Sequence, residues 1–399
     1  MNLILDGNYW FYKTLHVVKP MAGSRERFLD KEEHEVAFIK KVATDIAHSI
    51  RFFGKPKRII FTIDGKSWRN DIQIEENEGY KSERDKKDDV NWDRFYELMN
   101  EFADIQKENN GWIISKVDRA EGDDLMYLWA KRLLIEKSEN SVVVTGDHDM
   151  HQIVRINNDN YIVVFNPNSQ SRKIYGSTGL SKLIERLKNK TEEKNVVKDF
   201  DIFDPTIYIK KKEDPILNAL KKVKYKEIDK RTFLLNKVIT GDGGDSVPGL
   251  YQWKTTTETG KTINHRITEK RAEKILNYVF KQNPGIDKDN FNIYQLPEYY
   301  LDITSGIENI TKAKNLDPDK IKDKIVRNIK LMVLNRTEIP EYIMKQFLKN
   351  FKENIKLPVL KGKKYKKDSL IENTRFLKED DGSEGRSFQA GLFGDLDKL

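Results

Sequence analysis

The 399-residue chain has no cysteine, which excludes disulfides, thiol catalysis and Cys-ligated zinc and fits a reducing compartment. Histidine is scarce, at six residues, so imidazole-rich metal sites have little to draw on. No apolar run approaches the length of a membrane span, and MNLILDGNYW carries no basic leader; both predict a soluble, intracellular protein without a membrane partner. There is no internal repeat, and no Ser-His-Asp, Walker A or dinucleotide-binding pattern. What the chain has in quantity is charge. Charged residues make up 34% of it, and the net charge is +8. A basic excess suits a polyanionic partner once the cations are shown to cluster. The length predicts two domains and a tail.

A strand-then-carboxylate pattern recurs. Leu3–Leu5 is a short apolar strand ending on Asp6, and residues 58–63 (RIIFTI) form a second ending before Asp64. Between them Val36, Ile39, Val42, Ile46, Ile50 and Phe53 recur at helical spacing. Trp92, Phe95, Leu98, Met99, Phe102 and Ile105 mark another helix, and residues 112–117 a third strand. Behind it DRAEGDDLMYLWAKRLLI reads as a helix with Glu121, Asp123 and Asp124 at its start. Acidic residues there suit the helix dipole, which accounts for one or two of the three. Glu121 and Asp124 share a face, while Asp123 projects elsewhere, toward an adjoining ion or toward solvent. Residues 142–145 form a fourth strand running into Asp147 and Asp149, and 160–165 a fifth, with a helix over 180–187. Alone, the Asp147/Asp149 pair reads more simply as a polar turn. The alternation, however, predicts an α/β fold with a mainly parallel sheet and helices on both faces, whose strand carboxyl ends line one edge. Asp6, Asp64, Glu121, Asp123, Asp124, Asp147 and Asp149 then converge there.

Lys66 to Asp89 is charged and irregular, holding Trp68, Arg69, Tyr80, Lys81, Arg84, Lys86 and Lys87. It is either a solvated loop or a clamp of phosphate-binding cations and base-stacking aromatics. The lysine-rich composition over 190–230 places a domain boundary near Asn195. RTFLLNKVITGDGGDSVPGL then takes an apolar helix into a glycine-rich loop with Asp242 and Asp245. Thr268 caps a helix whose start offers N–H groups with Lys270 and Arg271, suited to gripping a phosphate backbone. Helices over 325–334 and 342–351 complete a helical domain. After Pro358 the composition is that of a disordered tail, ending in SFQAGLFGDLDKL. Its apolar island is a frayed terminus or a docking peptide anchored by Phe388, Leu392 and Phe393.

Clustered carboxylates without cysteine favour hard, oxygen-ligated Mg²⁺ or Mn²⁺ over zinc. His148 and His151 read as supporting or surface groups rather than ligands. Left bare, the carboxylates would raise each other's pKa and destabilise the fold; with two ions they fit phosphodiester hydrolysis. Lys81 and Arg84 are placed to contact the scissile phosphate.

On these motifs the sequence resembles the flap endonuclease/5′→3′ exonuclease superfamily, most closely the phage ribonuclease H type. The matches run in order over about residues 1–280: LILDGN, TID, WRND with Tyr80-Lys81 and Arg84, EGDD where the family usually reads E-A-D-D, TGDHDMHQIV, and GDGGDSVPG. The resemblance implies a PIN-like nuclease domain over 1–195 with a helical arch at about 66–90. It implies a helical domain over 196–357, whose helix–three-turn–helix module grips duplex DNA, often with a bound K⁺, and a flexible tail over 358–399. It implies two Mg²⁺ ions (Mn²⁺ substituting) held by the nine carboxylates Asp6, Asp64, Glu121, Asp123, Asp124, Asp147, Asp149, Asp242 and Asp245. Arg69, Tyr80, Lys270 and Arg271 are the expected nucleic-acid contacts, Tyr80 as a stacking aromatic. The expected substrates are DNA and RNA–DNA duplexes with 5′ ends or flaps, cut by a monomer, in the cytoplasm (that of a bacterial host if the chain is phage-encoded). RNA primer removal during replication is the expected setting. Gln389, Leu392 and Phe393 resemble the Q-x-x-L-F peptides that dock on sliding clamps; a clamp or a single-strand-binding protein is the implied tail partner. Two departures stand out. Gly122 replaces alanine, with no consequence expected, and the stretch from Tyr251 to Ile267 is longer than the family pattern. The rival readings are a non-catalytic DNA-junction binder of the same fold and a phosphatase using Asp6 as nucleophile. The latter usually wants an Asp where Asn8 stands.

Overall fold

In the computed structural model the described residues are 1–22, 27–74, 79–81, 89–168, 170, 172–192, 214–257, 261–288 and 290–357. Arg84, Lys86 and Lys87 of the arch, and Phe388, Gln389, Leu392 and Phe393 of the tail, lie outside them.

The chain opens with β1 (Asn2–Asp6), α1 (Gly7–Ala22), α2 (Glu32–Phe53), β2 (Ile59–Thr62), α3 (Trp92–Asn110), β3 (Ile113–Ser115), α4 (Gly122–Lys137) and β4 (Ser141–Val144). It continues with β5 (Arg155–Asn157), β6 (Asn160–Asn166), β7 (Lys173–Ser177), α5 (Leu180–Glu192), α6 (Pro215–Leu220) and β8 (Lys224–Ile228). Next come α7 (Lys230–Thr240), β9 (Gly241–Asp242), β10 (Val247–Pro248), β11 (Gln252–Thr256), β12 (Thr262–Arg266) and α8 (Glu269–Gln282). The last helices are α9 (Tyr300–Thr311), α10 (Pro318–Met332) and α11 (Glu341–Asn354).

The main sheet runs β3-β2-β1-β4-β6-β7-β8, with β5 a hairpin partner of β6. β1 is central and buried along its length, pairing in parallel with β2 on one side and β4 on the other. Only β5 and β7 run antiparallel to β6. The carboxyl ends of β1, β2, β3 and β4 therefore share one edge, as the alternating pattern predicts.

Successive residues of β1 face opposite cores. Leu3 and Leu5 join Trp10, Phe11, Phe38, Phe95 and Phe102 beneath α1, α2 and α3. Ile4 joins Leu125, Met126 and Trp129 of α4 on the other face. Each such fully buried side chain contributes on the order of 1.5–3 kcal/mol relative to exposure. A third cluster, with Leu235, Val238, Ile275, Ile303 and Ile325, is the core of α7–α10.

Two expectations need correction. The sheet does not stop near Asn195: β8 pairs in parallel with β7, and Ile216 and Leu217 of α6 are buried in the sheet's core. Lys224 and Lys226 lie on this edge strand, where charge blocks further strand pairing. Nor does α11 complete the helical domain. Its stripe Ile343, Met344, Phe347 and Phe351 packs on α4, with the Phe347 and Phe351 rings 5.7 and 5.0 Å from Trp129. α1 follows β1 directly and carries Pro20 within it. Among the described residues no helix is long and apolar enough to cross a membrane.

Candidate metal centre and nucleic-acid interface

β1 delivers Asp6 to the shared edge. There one oxygen accepts the Tyr9 N–H (2.9 Å) and the other the Thr145 hydroxyl (2.7 Å). Burial pushes this carboxyl up to about 7, against both hydrogen bonds and with help from Asp64 and Asp147. Two residues beyond β2, Asp64 accepts the Gly122 N–H at 2.6 Å, while its own N–H donates to Asn8 Oδ1 at 3.0 Å. Its carboxyl is pushed to about 6 by desolvation and then by Glu121, although its rim is open to solvent.

Asp123 rises well above the ordinary carboxylate range through burial and the charges of Asp147, Asp6 and Glu121. It is half-buried on the first turn of α4. Asp147 caps the short 3₁₀ turn after β4, accepting from Asp149 N at 2.8 Å, and its N–H returns to Thr145 Oγ1 at 3.0 Å. The polar-turn reading and the metal-ligand reading are thus compatible, because capping uses one of its two oxygens.

Asp149, Asp242 and Asp245 form a second group, each offering a carboxylate oxygen within 4.8 Å of the others. Lys237 of α7 pairs with Asp149 and, at 2.9 Å, with Asp242. Burial lifts the Asp149 carboxyl to about 6 despite that cation, whereas Lys237 overcomes burial at Asp242 and holds it low. Lys237 was missed in the sequence; its only signal is its position five residues before Asp242 on an apolar helix. The loop itself depends on Gly241, at φ +73°, where a Cβ would collide with the backbone of Val247 and Gly249.

Glu121 and Asp124 have a different status. Burial alone would raise Glu121, but Arg69 and Lys81 outweigh it and hold the carboxyl below its ordinary value. Asp124 is fully buried and takes the Arg69 fork on both oxygens, at 2.8 and 2.9 Å, with Trp68 Nε1 at 3.0 Å. With both oxygens engaged, Asp124 anchors Trp68 and Arg69 rather than standing open to an ion.

Two expected nucleic-acid contacts are likewise internal. Arg69 is only 2% exposed, reaching Glu121 at 2.7 Å and the Leu331 carbonyl at the end of α10 at 2.8 Å. Tyr80 is buried, its hydroxyl donating to Glu121 (3.2 Å) and Asp245 (3.0 Å), so no ring face is free for a base. Lys81 sits in the left-handed region (φ +58°), its ammonium on Glu121 and 4.0 Å from Asp245. It bridges the two acidic groups. Lys270 is exposed at the start of α8, and Arg271 lies over the Trp253 ring at 5.0 Å. His148 is exposed and lines the same cleft as Asp149, whereas His151 is buried against Tyr175 at 4.0 Å and lowered to about 4 by burial and then by His148.

A Cβ on Gly122 would lie 2.8 Å from Asp64 Oδ1, the free end of a side chain that a small rotation would clear.

A mainly parallel sheet carries this acidic edge. Residues 1–192 match the 5'-3' exonuclease, N-terminal resolvase-like domain family. Among solved structures, a bacteriophage T5 flap endonuclease pseudo-enzyme–product complex with DNA and metal ions is 16% identical, with a TM-score of 0.47. The alignment covers 90% of this chain and 100% of that one. T5 5'-exonuclease with divalent metal ions (zinc) bound has the same identity, TM-score and coverage. No curated protein sequence matches this chain.

Proposed function

We propose that the chain is a metal-dependent, structure-specific 5′ nuclease, hydrolysing phosphodiesters near 5′ ends and flaps in DNA and RNA–DNA duplexes, with RNA primer removal as its setting. The observation that carries this is the gathering of Asp6, Asp64, Asp123 and Asp147 beside the Asp149/Asp242/Asp245 group, with too few cations among the described residues to balance them. An all-oxygen donor set with uncompensated charge fits hard divalent ions, Mg²⁺ or Mn²⁺. Asp6, Asp64, Asp123 and Asp147 would hold one, and Asp149, Asp242 and Asp245 a second. Lys237 is the stand-in cation that the second ion would displace or share. Two ions bound there would lower the pKa of an attacking water and neutralise charge on the phosphate and the leaving oxygen.

The chain's own groups do the positioning. Tyr9 N–H and Thr145 fix the Asp6 carboxylate; Gly122 N–H and the α4 N-terminus fix Asp64. Lys81, released from Glu121, would pair with the phosphate, with Arg84 as its arch partner. The β9–β10 loop and the α8 start, with Lys270, would grip the duplex backbone, K⁺ seating in that loop. The tail peptide at Phe388–Phe393 would dock on a sliding clamp.

The test is Mg²⁺-dependent digestion of a 5′-flapped duplex by the wild type and by Asp147→Asn, with a chelator control. Asparagine keeps the turn cap, so the variant folds. Short 5′ products lost with chelator and with the variant support the nuclease. Tight flap binding without cleavage by the wild type would replace this reading with the junction binder.

A further inference from the structure

β11 and β12 form a two-stranded ribbon, paired from Gln252↔Arg266 to Thr256↔Thr262, that belongs to no larger sheet. It accounts for the long stretch between the acidic glycine loop and α8. Isolated two-stranded ribbons are marginal in water, and this one is stiffened on one face. The Tyr251 and Trp253 rings stack at 5.6 Å, Trp253 and His265 at 5.2 Å, and Arg271 covers Trp253. Arg271 also donates to the Arg266 carbonyl at 3.3 Å, tying the ribbon to α8.

The opposite face is polar and exposed. By the two-residue alternation of a strand, Lys254 and its cross-strand partner Asn264 share it with Arg266. The Arg266 guanidinium lies 3.5 Å from where a Cβ would stand on Gly243, so this face continues the glycine loop. Arg266 and Lys270 line the same cleft, about 870 Å³, as Asp149 and Asp242. From 251 to 271 the sequence holds five cations (Lys254, Lys261, Arg266, Lys270, Arg271) against two anions, Glu258 and Glu269.

We infer that the β11–β12 ribbon is a rigid wing whose Lys254–Asn264–Arg266 face tracks the phosphate backbone of the duplex beyond the β9–β10 loop. The occupant is double-stranded nucleic acid. The charge is complementary, a ribbon fits a B-DNA groove, and the polar face runs directly out of the acidic cleft. Five residues at about 3.4 Å each extend about 17 Å, or about five further base pairs at 3.4 Å per step. The aromatic face serves stiffness and leaves the cationic face to the backbone. This rests on the nuclease reading for the direction in which the duplex leaves the site.

The test measures duplex affinity against salt, by fluorescence anisotropy in Ca²⁺, for the wild type and for Lys254→Gln. Lys254 is exposed and does not belong to the acidic centre. Each lost phosphate contact lowers the log–log salt slope by about 0.9, so the variant should lose nearly one and bind a 20-base-pair arm about threefold more weakly. On an arm too short to reach the ribbon, about 8 base pairs, the two proteins should bind alike. Equal slopes on the long arm, or equal losses on both arms, would overturn the wing; equal slopes would leave the face to an acidic protein partner. Flap cleavage by the wild type, measured in Mg²⁺ alongside, separates the two proposals. A slope change without cleavage removes the nuclease and keeps the wing, and cleavage without a slope change does the reverse.

Discussion

Replacing Arg69 with methionine tests whether the arch base is a structural strut or a nucleic-acid contact. Its guanidinium makes two bonds to Asp124, one to Glu121 and one to the Leu331 carbonyl, at 2.7–2.9 Å and 2% exposure. Glu121 would keep Lys81 and Tyr80. Asp124 would keep only Trp68 Nε1 and a long 3.4 Å contact from the Glu121 N–H, and Leu331 would lose this partner for its carbonyl. Removing one partner of a buried pair costs about 3–5 kcal/mol, and stranding a buried carbonyl adds about 1–3 kcal/mol, with incomplete additivity. The expected loss is about 4 kcal/mol, a large part of the roughly 5–15 kcal/mol a typical protein has. Arg69→Lys should recover part of it, because a point charge cannot reproduce the fork. Arg69→Met/Asp124→Leu should be less damaged than Arg69→Met, since no charge is left bare. Urea unfolding followed by fluorescence, with Mg²⁺ absent, reads all three. A variant within about 1 kcal/mol of wild type that binds duplex more weakly would refute the strut and restore Arg69 as a DNA contact.

Gly122→Ala should leave urea stability little changed and the flap-cleavage rate within about threefold of wild type, because only the end of the Asp64 side chain has to move. A loss of about tenfold or more, what a displacement near 1 Å costs, would show that Asp64 cannot retreat. In EDTA, stability should fall as pH rises from about 4 to about 7. Asp6 is raised from 3.8 to about 7, so the folded state binds more protons across that window; its stabilising contribution is full below the unfolded pKa and lost through the folded one. The slope from Asp6 alone is at most roughly 1.4 kcal/mol per pH unit, and Mg²⁺ should flatten it; a flat profile in EDTA would contradict the uncompensated cluster. Lys237→Gln should destabilise the metal-free protein, by leaving Asp149 and Asp242 facing each other, and should raise the gain in melting temperature on adding Mg²⁺. An equal gain in both proteins would mean that Lys237 does not stand in for an ion. Phe347→Ala should cost about 3–5 kcal/mol, by opening the core between α11 and α4, whereas a surface helix would lose far less.

Local pattern alone determined much here. Short apolar runs ending on Asp6, Asp64 and the Asp147 turn can only be strands, and their alternation with helical periods implies a parallel sheet with one carboxylate edge. The glycine loop with Asp242 and Asp245 was equally legible, because glycine spacing and flanking helices are local properties. The tertiary structure decided which of these groups carry bare charge. Arg69 finds Asp124 across 55 residues and Leu331 across 262. Lys237 reaches Asp149 from α7, and Tyr80 turns its hydroxyl inward to Asp245. No periodicity encodes such pairings. In the sequence, an arginine in a charged loop looks the same whether it meets phosphate or a buried carboxylate. The same holds for β8, whose lysines read as a linker until β7 supplied the hydrogen-bonding edge that makes them a strand. Hydrophobic period and turn chemistry are written along the chain. Charge compensation is a matter of distance in space, and only the folded arrangement sets it.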